Sequence, residues 1–72
     1  MPIPWKRLRC VLEHDGFVFR PGQGDHWKGR KPGVPRPVVI PAYEEVGLHI
    51  IRGNMRTAGM SRERYLALLA KC

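Results

Sequence analysis

Cysteine is nearly absent, acidic residues are scarce, and no long apolar run occurs anywhere in this chain. Each shortage excludes something. With only Cys10 and Cys72, the sequence has no disulfide framework of the kind that staples small secreted domains. A single bridge is available to the pair, but a reducing cytoplasm favours two free thiols, and that is the expectation. No C-x-x-C, H-x-x-x-H or H-E-x-x-H spacing is present, so no complete metal-ligand set can be read. Cys10 and His14 stand four apart on an expected helix and make half a site, with no second half visible. Neither a metal nor an organic cofactor is therefore expected. No stretch approaches the roughly 20 apolar residues that span a bilayer. The opening Met-Pro-Ile-Pro-Trp-Lys-Arg has no signal-peptide core. A soluble, cytoplasmic protein without membrane contact is expected.

What the chain has in excess is positive charge. Thirteen Lys and Arg face six Asp and Glu in 72 residues, a formal net charge of +7. Such a bias points to a polyanionic partner, above all nucleic acid, with a solvated basic surface or an acidic protein partner as the alternatives. A chain of this length buries only about 60% of the surface that its unfolded form exposes, so a partner protein is the expected extra source of stability. Repeats, low-complexity tracts and linkers are missing, and residues 1–72 are read as a single domain.

The pattern of apolar residues sets the expected elements. Trp5, Leu8, Val11 and Leu12 recur at helical spacing, which predicts an amphipathic helix over residues 4–14, entered at Pro4 and stopped at Gly16. Phe17-Val18-Phe19 predicts a strand with both phenylalanines on its core side. Pro21 to Gly24 make a turn, and His26-Trp27-Lys28 open a second strand. Lys31-Pro32-Gly33 turn the chain again, and Val38-Val39-Ile40, closed by Pro41, form the clearest strand. Residues 42–47 read as a connector. Leu48, Ile51, Met55 and Ala58 give a second helix its core stripe, and His49, Arg52 and Arg56 line a neighbouring face. Gly53 within this helix costs about 1 kcal/mol relative to alanine and marks either close packing on the sheet or a kink. Gly59 ends the helix, and Ser61 caps a last one with Tyr65, Leu66, Leu69 and Cys72 on its apolar side. The economical arrangement is an α+β sandwich, a three-stranded antiparallel sheet with helices on one face.

Chemistry concentrates at Gln23-Gly24-Asp25-His26-Trp27. Histidine exchanges protons near neutrality. Gly24 lets the backbone turn and a bulky ligand approach. Asp25 is a neighbouring carboxylate able to bind the ring, although adjacent residues on a strand point to opposite faces, and Trp27 offers an aromatic surface. Lys28, Arg30 and Lys31 supply positive charge beside them. One histidine with local cations suits cleavage of RNA, where the substrate's own 2′-OH is the nucleophile and the enzyme supplies proton transfer and charge stabilisation. The candidate site is thus His26 as the catalytic residue, with Gly24, Lys28, Arg30, Lys31, Arg52 and Arg56 as RNA-binding residues.

Four segments in order along the chain carry a likeness to a known family. They are Leu12-Glu13-His14-Asp15-Gly16-Phe17 at the end of the first helix, Gly24-Asp25-His26, Val38-Val39-Ile40-Pro41, and Met55-Arg56-Thr57-Ala58-Gly59-Met60-Ser61-Arg62-Glu63. Together they resemble the HicA toxins, small RNA-cleaving partners in type II toxin–antitoxin modules. The resemblance implies an α-β-β-β-α fold similar to double-stranded-RNA-binding domains, with an extra short C-terminal helix here. It also implies ribosome-independent mRNA cleavage with the motif histidine, His26, as catalytic residue, a HicB-like antitoxin that covers this region, and no direct binding to DNA. Asp25 stands where that family has serine, Trp27 where it has a second histidine or an aromatic, and Tyr43 where it has a histidine before the last helices. The competing readings are a non-catalytic RNA-binding module and a protein–protein interaction domain.

Overall fold

The computed structural model describes residues 1–42 and 45–72; Tyr43, aligned above with a family histidine, lies outside them. Strand β1 (Ile3–Pro4) leads directly into α1 (Trp5–His14). Strands β2 (Val18–Pro21), β3 (His26–Arg30) and β4 (Val38–Pro41) follow, then β5 (Glu45–Val46), α2 (Leu48–Ala58) and α3 (Arg62–Leu69). Strands β2, β3 and β4 form an antiparallel meander in that order, and β1 pairs with β5 in a separate two-stranded ribbon. The α-β-β-β-α order is that expected, with α3 as the additional C-terminal helix.

Helix α1 forms because its apolar residues keep one face: Leu8, Val11 and Leu12 are fully buried. It stops at Gly16, whose φ of 104° is open to a residue without a Cβ. The amides of Gly16 and Phe17 then close back on the carbonyls of Glu13 and Leu12, satisfying the last turn. This turn delivers Phe17 and Phe19 into the core, with Val18 exposed between them, as the period of two requires. Val38 and Ile40 of β4 share that core with Ile3, Val46 and Ile51. Both α1 and α2 pack against β4, so the helices cover one face of the meander.

Some details depart from the sequence reading. Leu48, expected in the core stripe of α2, is 43% exposed, and the buried residues of that helix are Ile51 and Asn54. Asn54 is buried because its Nδ2 donates to the Val39 carbonyl at 3.3 Å, serving a polar group of the strand. Gly53 does not permit close packing, since a Cβ there would meet nothing within 4 Å, and α2 runs through it unbroken. In α3, Ser61 does cap, accepting a bond from the Arg64 amide at 3.1 Å, but Leu68 is the buried residue and Leu66 is 48% exposed. The pattern Tyr65-Leu66-Ala67-Leu68-Leu69 is apolar all round, so spacing alone does not choose a face. Within the stretch read as a connector, Glu45 and Val46 form a strand, because they pair with Pro4 and Ile3.

The largest correction concerns the cysteines. They are not free: Cys10 and Cys72 form a disulfide with their Cα atoms 6.0 Å apart. The physical reason is topological. Helix α3 packs on α1, and the Arg7 guanidinium donates to the Leu69 carbonyl at 3.2 Å, with the same separation of 62 residues that divides the two cysteines. That contact brings the chain end to the middle of α1.

Candidate active site

His26 is the first residue of β3, and its backbone is held on both sides. Its amide donates to the Gln23 carbonyl at 3.2 Å, and its carbonyl accepts from the Gly22 amide at 2.8 Å, which closes the β2–β3 hairpin. Across the sheet it lies opposite Pro41, and the preceding carbonyl, of Asp25, accepts from the Ala42 amide at 2.7 Å. Gly24 makes the hairpin possible with a φ of 57°, in the left-handed region. A Cβ at Gly24 would meet nothing within 4 Å, so its contribution is conformational and the space above it is open.

The strand period decides which side chains share a face with His26. His26, Lys28 and Arg30 are exposed, while Trp27 is half-buried and Gly29 is buried. The three exposed residues therefore stand in a row on the uncovered face of the sheet. Register adds a residue outside the set read from the sequence: Arg20 of β2 lies directly opposite Lys28, and directly opposed residues share a face. The signal was available in the alternation Phe17-Val18-Phe19-Arg20, which puts Arg20 on the side away from the phenylalanines. Val39, on the other side of Lys28, adds an apolar patch. A cleft of about 740 Å³ opens here, lined by Gly22, Gln23, Gly24, Asp25, His26, Lys28 and Val39.

The remaining expected site residues go elsewhere. Lys31 follows the last residue of β3, and its Nζ donates to Asp15 Oδ2 at 3.2 Å and lies 5.8 Å from the centre of the Phe17 ring. Asp15 is buried, and it also receives Arg64 Nε at 2.9 Å. Lys31 thus helps satisfy a buried carboxylate. Arg52 and Arg56 are exposed on α2, the helix that packs on the covered side of the sheet. Arg52 borders a separate groove of about 600 Å³ with Ile3, Arg7, Ile51, Met55 and Tyr65 among its walls. Trp27 is half-buried and its ring is engaged within the protein. Its ring stacks on Trp5 with centroids 6.4 Å apart and planes 13° from parallel, and the Arg9 guanidinium lies 4.4 Å from its centre. Asp25 is exposed in the hairpin turn and lines the cleft, and among the described residues no hydrogen bond or ion pair joins it to His26.

No family model matches this chain, and no curated protein matches it.

The arrangement has a definite chemical capacity. An imidazole on a fixed strand end can exchange a proton with a ligand lying along the open face. The ammonium of Lys28 and the guanidiniums of Arg20 and Arg30 can hold phosphate oxygens beside it. No helix among the described residues is long and apolar enough to cross a membrane.

Proposed function

We propose that this protein is an endoribonuclease that cleaves mRNA with His26 as its proton-transfer residue, acting as the toxin of a HicA-like pair and held in check by a HicB-like antitoxin. The observation that carries the reading is the position of His26 at the head of β3, exposed in a cleft with Lys28 two residues further along the same face. RNA laid across this open face brings a phosphodiester to the basic row. His26 takes the proton from the 2′-OH, the oxygen attacks the adjacent phosphorus, and the 5′-oxygen leaves with a proton returned from His26 or water. Lys28, Arg20 and Arg30 offset the charge that builds on the phosphate oxygens. The products are a 2′,3′-cyclic phosphate and a 5′-hydroxyl. Gly24 supplies the turn that leaves the cleft open. Lys31 contributes through the Asp15 pair that steadies the far end of β3, and Arg52 and Arg56 extend the positive field to a second surface.

The test is cleavage of a structured RNA by purified protein and by His26→Ala. His26 is exposed, so the variant retains the fold, and its cleavage rate falls by about 100-fold or more. An oligonucleotide with 2′-deoxyribose at the cleaved position resists cleavage. Equal cleavage by His26→Ala, or of the deoxy substrate, overturns the assignment. RNA binding by the wild type with no products after long incubation would replace it with a non-catalytic RNA-binding module, in which the same basic face reads shape and backbone.

A further inference from the structure

The half-site seen in the sequence at Cys10 and His14 acquires a third ligand in three dimensions. Cys10 and His14 lie one helical turn apart on the same face of α1. Cys72 joins them from beyond α3, and the two sulfurs and an imidazole nitrogen all lie within 4.8 Å of one another. His14 and Cys72 are exposed and Cys10 is half-buried, so the cluster is open to solvent. In a tetrahedral zinc site, bond lengths of about 2.3 Å to sulfur and about 2.0 Å to nitrogen set the ligand atoms roughly 3.5–3.8 Å apart. The present spread of at most 4.8 Å lies close to that spacing, and the half-buried or exposed side chains leave room for the sulfurs to part once they are reduced.

We propose that Cys10, His14 and Cys72 form a redox-gated zinc site, closed to metal while the disulfide stands and opened by a dithiol reductant. The exchange is balanced: the reductant passes two electrons and two protons to the sulfurs of Cys10 and Cys72 and becomes a disulfide itself. Zinc then displaces the two thiol protons and binds both thiolates and the neutral imidazole of His14, with the fourth position left to water. Zinc suits this set because thiolate and imidazole ligands are those it prefers and because it takes no part in redox chemistry. Metal and disulfide are alternative closures of the same loop of the chain, so zinc takes over the tether that reduction removes. The site stands on α1 and the chain end, separate from the His26 cleft.

The experiment compares oxidised and dithiol-reduced protein, each titrated with Zn²⁺ alone, by native mass spectrometry and thermal unfolding, with Co²⁺ as a spectroscopic probe of thiolate ligation. Reduced protein takes up one zinc, shows a thiolate-to-cobalt charge-transfer band and melts at a higher temperature with zinc than without it. Oxidised protein does none of these. His14→Ala keeps both cysteines and replaces an exposed residue, so it folds and forms the disulfide, and its reduced form binds zinc at least about tenfold more weakly. Zinc binding to the reduced protein no tighter than to the oxidised one, or unchanged in His14→Ala, overturns the proposal. None of these measurements depends on RNA cleavage.

Discussion

The indole of Trp27 stacks on that of Trp5, with planes 13° from parallel and centroids 6.4 Å apart. This pair links the strand residue next to His26 to the first turn of α1. The Arg9 guanidinium, 4.4 Å from the Trp27 ring and 5.5 Å from that of Phe19, closes the same cluster. Trp27 therefore anchors from below the backbone that presents His26 above. Trp27→Ala is expected to lower stability by about 2 kcal/mol, less than for a fully buried aromatic. RNA cleavage should fall more in Trp27→Ala than in Trp5→Ala at matched folded fraction. Unfolding curves followed by single-turnover cleavage below the midpoint would check both.

The basic face and the α2 arginines should separate in a salt titration. Lys28→Ala and Arg20→Ala are each expected to weaken RNA binding and to reduce the slope of log affinity against log salt by about one. Arg52→Ala and Arg56→Ala, on a different side of the molecule, should have a smaller effect. Equal losses from both groups in a filter-binding series would show that RNA spans the two surfaces.

Two glycines predict opposite outcomes for the same substitution. A Cβ at Gly29 would lie 2.6 Å from Phe19 Cε2 and 2.9 Å from Val38 Cγ2, in the middle of the sheet's covered face. Gly29→Ala should cost about 1–3 kcal/mol, as overpacking of a core does. At Gly53 the added methyl meets nothing within 4 Å, and alanine should stabilise α2 by up to about 1 kcal/mol. Denaturant midpoints of the two variants should move in opposite directions.

Among the described residues, Tyr65 makes the fold sensitive to alkali. Burial raises its phenol above the ordinary value of 10.0, and the nearby Arg7 guanidinium partly opposes this. The folded chain keeps that proton where the unfolded chain has already released it. The contribution is therefore whole below about pH 10 and is lost as pH rises through the folded value. Melting temperature should fall above pH 10, and Tyr65→Phe should flatten that fall.

Elements with one strong period were legible from the sequence. The stripe of Leu8, Val11 and Leu12, the Val38–Ile40 strand, and the ends of the helices at Gly16, Gly59 and Ser61 all follow from local rules that tertiary contacts reinforce. His26 was legible as a strand residue beside a left-handed glycine. Its neighbours were less so, because a list of nearby cations does not say which face each occupies. Lys31, just past the end of β3, is taken from the site by its ion pair with Asp15, and Arg20 joins only through its register with Lys28. The choice of Leu68 over Leu66, the burial of Asn54 and the ribbon of β1 with β5 depend on partners distant in the chain. The cysteine pair was hidden for the same reason, since only the packing of α3 on α1 brings position 72 to position 10.

That cross-link closes residues 10–72 into a covalent loop, because it joins Cys10 to Cys72. A single backbone cut anywhere between those residues releases no fragment. A protease that nicks the exposed connection between β3 and β4 would leave a molecule of almost unchanged mass, whose two pieces part only when the sulfurs are reduced.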